Sequence, residues 1–248
     1  LVGIGFAKGL SLSTGLPLIS VNHLEAHVMS LLIDEPKLTF PFICLTVSGG
    51  HTQLILVKDI GDLTVLGSTI DDAAGEAFDK IGKLLGLPFP GGPHLDKLAQ
   101  SGEVKFKFPV TKLKNHNFSF SGLKTAVLVF LQKNLKENPN FISENLNDIC
   151  ASVQDSIIQM LCNQLIDLSK KYKITNIGIA GGVSANQGLR QRINQLKGSL
   201  NWKVKFPQLQ YCTDNAAMIA TMGYYKYLKN DFAPINFSAL SRFPIQEI

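Results

Sequence analysis

Phe42-Ile43-Cys44-Leu45-Thr46-Val47-Ser48-Gly49-Gly50-His51-Thr52-Gln53-Leu54-Ile55-Leu56-Val57 sets two β-rich runs on either side of a glycine pair. Large aliphatic and β-branched residues flanking such a turn predict a β-hairpin. After Ile60-Gly61-Asp62, the run Leu63–Thr69 continues as a third strand, so an antiparallel meander opens here. Upstream, Pro36 and Pro41 bracket a connection. Before them the chain predicts a small-residue helix from Gly5 to Ser13, a turn at Thr14-Gly15 and a short strand through Leu18-Ile19-Ser20-Val21. Asn22 is placed to cap a helix carrying His23 and His27.

Downstream, Asp71–Leu85 reads as a helix fronted by acids that complement its dipole. A rigid Pro88–Pro93 loop follows, and His94 starts the next helix. Apolar spacing predicts helices over Leu123–Leu135 and Asn147–Lys171. Ile174–Ala180 has a buried-strand pattern and runs into Gly181-Gly182, then a helix from Gln187. Trp202–Phe206 is a further strand, and Cys212–Ala220 is a loop entering a helix with Asp214 near its start.

The 248 residues suffice for one large domain or two modest lobes. Hydrophobic content of 45% and charged content of 17% are those of a globular protein, not a disordered one. No run of about 18 apolar residues predicts a membrane helix, and the apolar opening lacks the basic start and cleavage site of a secretory signal. The chain begins with Leu, as though its natural start lies upstream. Its four cysteines are scattered without a CxxC pair, which argues against a disulfide framework and for a reducing compartment. Net charge is +5, with seven lysines and no acid from Lys105 to Lys136, and eight Lys or Arg and no acid between Leu168 and Thr213. Such blocks suit a polyanion such as RNA, or are simply solvated lysine-rich faces.

His23 and His27 stand one turn apart on one helix face, a spacing at which two imidazoles can grip a transition metal. Two polar residues on an ordinary helix is the plain alternative. The glutamate of Asn22-His23-Leu24-Glu25-Ala26-His27 is misplaced for the His-Glu-x-x-His of zinc proteases. Asp214 is the natural third ligand, completing a two-His, one-carboxylate face; otherwise it is a helix N-terminal acid. Three glycine pairs, at Gly49-Gly50, Gly91-Gly92 and Gly181-Gly182, sit beside strand or helix ends, where backbone N–H groups can approach phosphate. A Gly-Gly hairpin followed by Thr is how actin-like nucleotide folds cradle phosphates. Asp79, Asp96 and Asn186 lie nearby in sequence and could hold a ribose or a purine edge, or serve as ordinary caps. No nucleophile elbow or Ser-His-Asp order appears.

Seven motifs occur in order: Asn22–His27, Val47–Thr52, Asp71–Lys80, Pro90–Pro93, Phe120–Lys124, Gly181–Asn186 and Thr213–Met218. Together they resemble the tRNA N6-adenosine threonylcarbamoyltransferase family, once called O-sialoglycoprotein endopeptidases. The resemblance implies an α/β, actin-like (ASKHA) two-lobed fold, with mixed sheets flanked by helices and the ligand in the cleft. It implies metal-assisted transfer of a threonylcarbamoyl group from threonylcarbamoyl-AMP to the N6 amine of the adenosine beside the tRNA anticodon. By position, His23, His27 and Asp214 match the metal ligands, for Fe(II) or else zinc. Thr46, Val47, Ser48, Gly49, Gly50, Asp79, Gly92, Asp96 and Asn186 match the adenylate-binding positions. No catalytic nucleophile or base is assigned. Implied partners are tRNA, a paralogous actin-like subunit and a small ATPase; the implied location is the cytoplasm, or mitochondria in a eukaryote.

The family opens with a strand block carrying a Glu-Thr-Ser-Cys-Asp-like motif, and nothing like it is present here. The expected division is therefore a first-lobe remnant over 1–41, a second lobe with a helical insertion over 42–210, and a segment returning to the first lobe over 211–248. The first lobe is expected to be incomplete, and the piece alone poorly stable and weakly active or inactive. A partner- or tRNA-binding fragment without turnover, another actin-like carbamoyltransferase or sugar kinase, and a metalloendopeptidase are the competing readings.

Overall fold

The computed structural model describes residues 1–240 and Ile245. Its strands are β1 (Phe42–Val47), β2 (Thr52–Asp59), β3 (Asp62–Ser68), β4 (Asn176–Ala180) and β5 (Lys203–Lys205), in the order β3-β2-β1-β4-β5. The first three form the predicted antiparallel meander, whereas β4 pairs parallel with both β1 and β5. A mixed sheet results, with β1 at its centre.

All six residues of β1 are buried because both faces of the sheet are covered. Ile43, Leu45 and Val47 point into one core, Phe42 and Cys44 into another, as the two-residue period of a strand requires. The helices are α1 (Val2–Thr14), α2 (His23–Met29), α3 (Ala74–Leu84), α4 (Gly91–Ala99), α5 (Ser121–Glu137), α6 (Phe141–Tyr172), α7 (Gln187–Ser199) and α8 (Ala216–Leu228). Helices α3 to α7 build the first core around Phe120, Ile149, Ile157 and Leu161. Helices α2 and α8 cover the other face through Leu24, Met29, Met218 and Met222. Each fully buried side chain of this size contributes about 1.5–3 kcal/mol. Gly178 in β4 marks how closely the second layer lies: a Cβ there would stand 2.4 Å from Leu31 Cδ1.

Several sequence expectations are corrected. Leu18–Val21 is not a strand; Leu18 makes one isolated bridge to Ala233, since no neighbouring strand is available to it among the described residues. The helix expected from Asp71 begins at Ala74. Asp71 instead caps α5, accepting the N–H of Phe120 at 2.8 Å and the hydroxyls of Ser119 and Ser121 at 2.5 and 2.7 Å. Gly91 to Pro93 form the first turn of α4 rather than a loop, so His94 is inside that helix. The acid-free run from Lys105 is neutralised in part by α6: Lys105 pairs with Asp148 at 2.7 Å and Lys112 with Asp167 at 2.5 Å. All four cysteines are buried and free. No helix among the described residues is long and apolar enough to cross a membrane. Of the 211–248 segment, positions 241–244 and 246–248 lie outside the described residues.

Candidate metal centre and nucleotide cleft

Asn22 starts α2 by accepting the N–H of Leu24 at 2.8 Å and of Glu25 at 3.3 Å. With the first turn fixed, His23 and His27 project from one face, their ring centroids 4.7 Å apart and nearly perpendicular. Asp214 comes from the other end of the chain. Asn215 caps α8 through Met218 N–H at 2.9 Å, and α8 packs on α2 through Met218, Met222 and Leu24. This packing sets Asp214 Oδ1 3.3 Å from His23 Nε2 and 3.1 Å from His27 Nε2. One ligand atom from each residue lies within 4.8 Å of the others, a donor set of two imidazole nitrogens and a carboxylate that fits one transition-metal ion.

His27 is 3% exposed, and burial, reinforced by the neighbouring His23, pushes its pKa below the ordinary imidazole value against the opposing pull of Asp214. It is therefore neutral near pH 7, the protonation state a metal ligand needs. His51, on the glycine turn, is likewise lowered by burial and by His23. His27 Nδ1 is buried without a hydrogen-bond partner among the described residues.

The glycine turn is held from three directions. Ser48 N–H donates to His51 O at 2.8 Å, and His51 N–H donates to Ser48 Oγ at 3.0 Å. Thr52 Oγ1 accepts Ala74 N–H at 2.9 Å, drawing the start of α3 onto the turn. A Cβ on Gly75 would lie 2.5 Å from Ser48 O, and one on Gly181 2.5 Å from Val47 O; Gly181 also has φ +87°. Only glycine allows these two approaches. Gly49 and Gly50 face open space.

The remaining predicted nucleotide positions fall into two groups. Asp79 Oδ1 accepts Gly92 N–H at 3.0 Å at the start of α4. Asp96 accepts Gln187 N–H at 2.9 Å, and Asn186 caps α7 through Leu189 N–H at 2.8 Å while donating to Gln154. These carboxylates and amides hold helix N-termini. Thr46 and Val47 are fully buried in β1.

A cleft of about 1250 Å³ separates the helical side, with Asn22 and His23, from the sheet side, with Gly50, His51 and Gln53. Asp79, Gly92, Asp96 and Asn186 do not line it. Gln53, Ser68 and Asp71 do, and were not singled out from the sequence. Gln53 carries a legible signal, being a polar residue within a strand pattern just ahead of the apolar Leu54–Val57 run. Asp71 opens the Asp71–Lys80 motif but reads there as a helix-fronting acid, and Ser68 carries no signal.

The family model TsaD, tRNA N6-adenosine threonylcarbamoyltransferase, matches residues 1–221. The chain is 52% identical over 247 residues to the tRNA N6-adenosine threonylcarbamoyltransferase of Christiangramia forsetii, covering 98% of this chain and 73% of that protein. It is 49% identical over 251 residues to the protein of the same name from Riemerella anatipestifer, covering 99% and 73%. Among solved structures, a full-length HypF in a phosphate- and nucleotide-bound form superposes with TM-score 0.64 at 12% identity, over 89% of this chain and 37% of HypF. Component A of Acidaminococcus fermentans (R)-2-hydroxyglutaryl-CoA dehydratase gives 0.53 at 18% identity, over 85% and 70%. These two likenesses are of fold, and the fold is the actin-like one. On sequence, the chain belongs to the tRNA N6-adenosine threonylcarbamoyltransferase family.

Proposed function

We propose that this protein transfers the threonylcarbamoyl group of threonylcarbamoyl-AMP to the N6 amine of the adenosine next to the anticodon in tRNA, with the help of one divalent metal. The observation that carries this reading is the convergence of His23, His27 and Asp214 on one point beside a cleft that the immobilised glycine turn faces. The names of the relatives supply the substrate class.

In this reading His23, His27 and Asp214 hold the metal, Fe(II) in preference to zinc because imidazoles with one carboxylate and open positions suit it. When bound, it supplies Lewis-acid polarisation of a ligand oxygen. Thr46 to Gly50 present backbone to the phosphate, with Gly49 and Gly50 leaving room for it. Asp79, Gly92, Asp96 and Asn186 are the proposed adenylate positions, placed by the α4 and α7 N-termini they hold. The chain's task is orientation: it brings a weakly nucleophilic amine against an activated carbonyl, with AMP leaving, and no protein nucleophile is needed. Cations such as Lys114 and Lys124, which form no ion pair among the described residues, suit the tRNA backbone. We further propose the division 1–41, 42–210 and 211–248, a cytoplasmic location, and partnership with a paralogous actin-like subunit and a small ATPase.

The test is incorporation of labelled threonine into unmodified tRNA from supplied threonylcarbamoyl-AMP. The protein is expressed from its gene with any flanking coding sequence, and metal is measured in parallel. Transfer that survives loss of both histidines at full rate would remove the reading.

A further inference from the structure

The strand register sets Thr46, Gln53 and Ser68 side by side across β1, β2 and β3. Residues opposite one another in paired strands share a face. Here it is the face that carries α2, because Cys44 and Ile55, two positions along the same strands, belong to the core beneath that helix. Gln53, Ser68 and His23 line the same cleft. Gln53 is only 9% exposed, and its Oε1 is buried with no hydrogen-bond partner among the described residues. An orphaned amide oxygen on a side chain that lines a cleft is costly, and a turn of that amide toward the cleft lets a bound molecule satisfy it.

The orphan is an acceptor, so the molecule that satisfies it brings a donor. Phosphate and carboxylate offer only acceptors, and the threonyl hydroxyl and the carbamoyl N–H each offer a single donor with no ring acceptor fixed beside it. Adenine offers a donor and an acceptor side by side, N6–H and N7, and a side-chain amide meets both at once. Unstacked bases of RNA loops are read through contacts to this Hoogsteen edge as well as to the Watson–Crick edge.

We infer that Gln53, its amide turned into the cleft, holds the target adenine by its N6/N7 edge, with Oε1 accepting an N6 hydrogen and Nε2 donating to N7. The contact selects adenine and turns its amine toward the side of the cleft that carries His23. The second amine hydrogen and the nitrogen lone pair stay free for the transfer. This assignment rests on the transfer reading above and adds the residue that recognises the acceptor base.

A two-by-two comparison tests it, with wild type and Gln53→Leu each assayed on anticodon stem-loops carrying adenosine or 7-deazaadenosine at the target position. The wild type is expected to lose about 10-fold in kcat/KM on 7-deazaadenosine. The variant loses about 10- to 100-fold on adenosine, the range of a bidentate base contact, and nothing further on 7-deazaadenosine. An equal 7-deaza penalty in both proteins overturns the assignment. So does a uniform loss accompanied by a lower Tm, which would make Gln53 a packing residue. Absence of transfer by the wild type defeats the transfer reading instead; the same comparison on equilibrium binding of the stem-loops then still decides Gln53.

Discussion

The sheet-centred part of the molecule and the helical part formed by α1, α2 and α8 are held by different means. The sheet is packed on both faces, and β1 is buried from end to end. By contrast, α1 has no buried residue; Phe6 is 72% and Leu12 70% exposed. The glycine turn belongs to the first region and is clamped by α3 and the β4–α7 turn. The proposed metal ligands belong to the second, where His23 and His27 meet Asp214, which lies 187 residues beyond His27, only because α8 packs on α2. In the proposed reading, phosphate is met by a turn clamped within the doubly covered sheet, and the metal is held where α8 meets α2 on the sheet's other face.

That contrast can be broken from either side. The largest effect is expected from His27→Ala: metal content falls to background and transfer drops by more than about 100-fold, exceeding the loss from an outer-shell partner, while the Tm of the sheet region holds. Metal analysis beside threonine incorporation checks this. In the sheet region, Ile157→Ala removes a fully buried side chain and costs about 3 kcal/mol by denaturant titration. On α1, Leu12→Ala changes stability by less than about 0.5 kcal/mol; an equal loss at both sites would erase the distinction between the regions. Gly75→Ala drives a Cβ to 2.5 Å from Ser48 O, costing about 1–3 kcal/mol and weakening AMP binding, measured by calorimetry. Asn22→Ala removes the cap of α2 for about 1 kcal/mol and lowers metal affinity without touching a ligand.

The smallest expected effect is on pH. Burial is the first cause holding His27, His51 and His116 below the ordinary value of 6.5. Below that pH the unfolded chain binds more protons than the folded one, so the metal-free protein loses stability as pH falls through 6.5 toward the lowered values. A Tm that rises between pH 7 and pH 5.5 contradicts this.

Local pattern was enough for most elements. The meander, the long helix α6 and the cap at Asn22 follow from period-two and helical spacing and from Asx chemistry. Leu18–Val21 misled because a strand needs a neighbour, and its composition says nothing of whether one is there. Asp71 misled because acids before a helix look alike whether they serve that helix, as Asp72 does through Lys80, or another. Asp71 serves α5, about fifty residues on, through a contact that no local window contains.

The sequence by itself determined the order of elements, the family, and the residue types able to hold a metal or approach a phosphate, since these depend on spacing and motif. Only the tertiary structure decided which of them meet. It brought Asp214 to His23 and His27, turned Asp79 and Asp96 onto helix N-termini, and left the Gln53 side-chain carbonyl buried without a partner among the described residues. Such outcomes depend on packing between helices and strands distant in the chain, where a few ångströms separate a ligand from a cap.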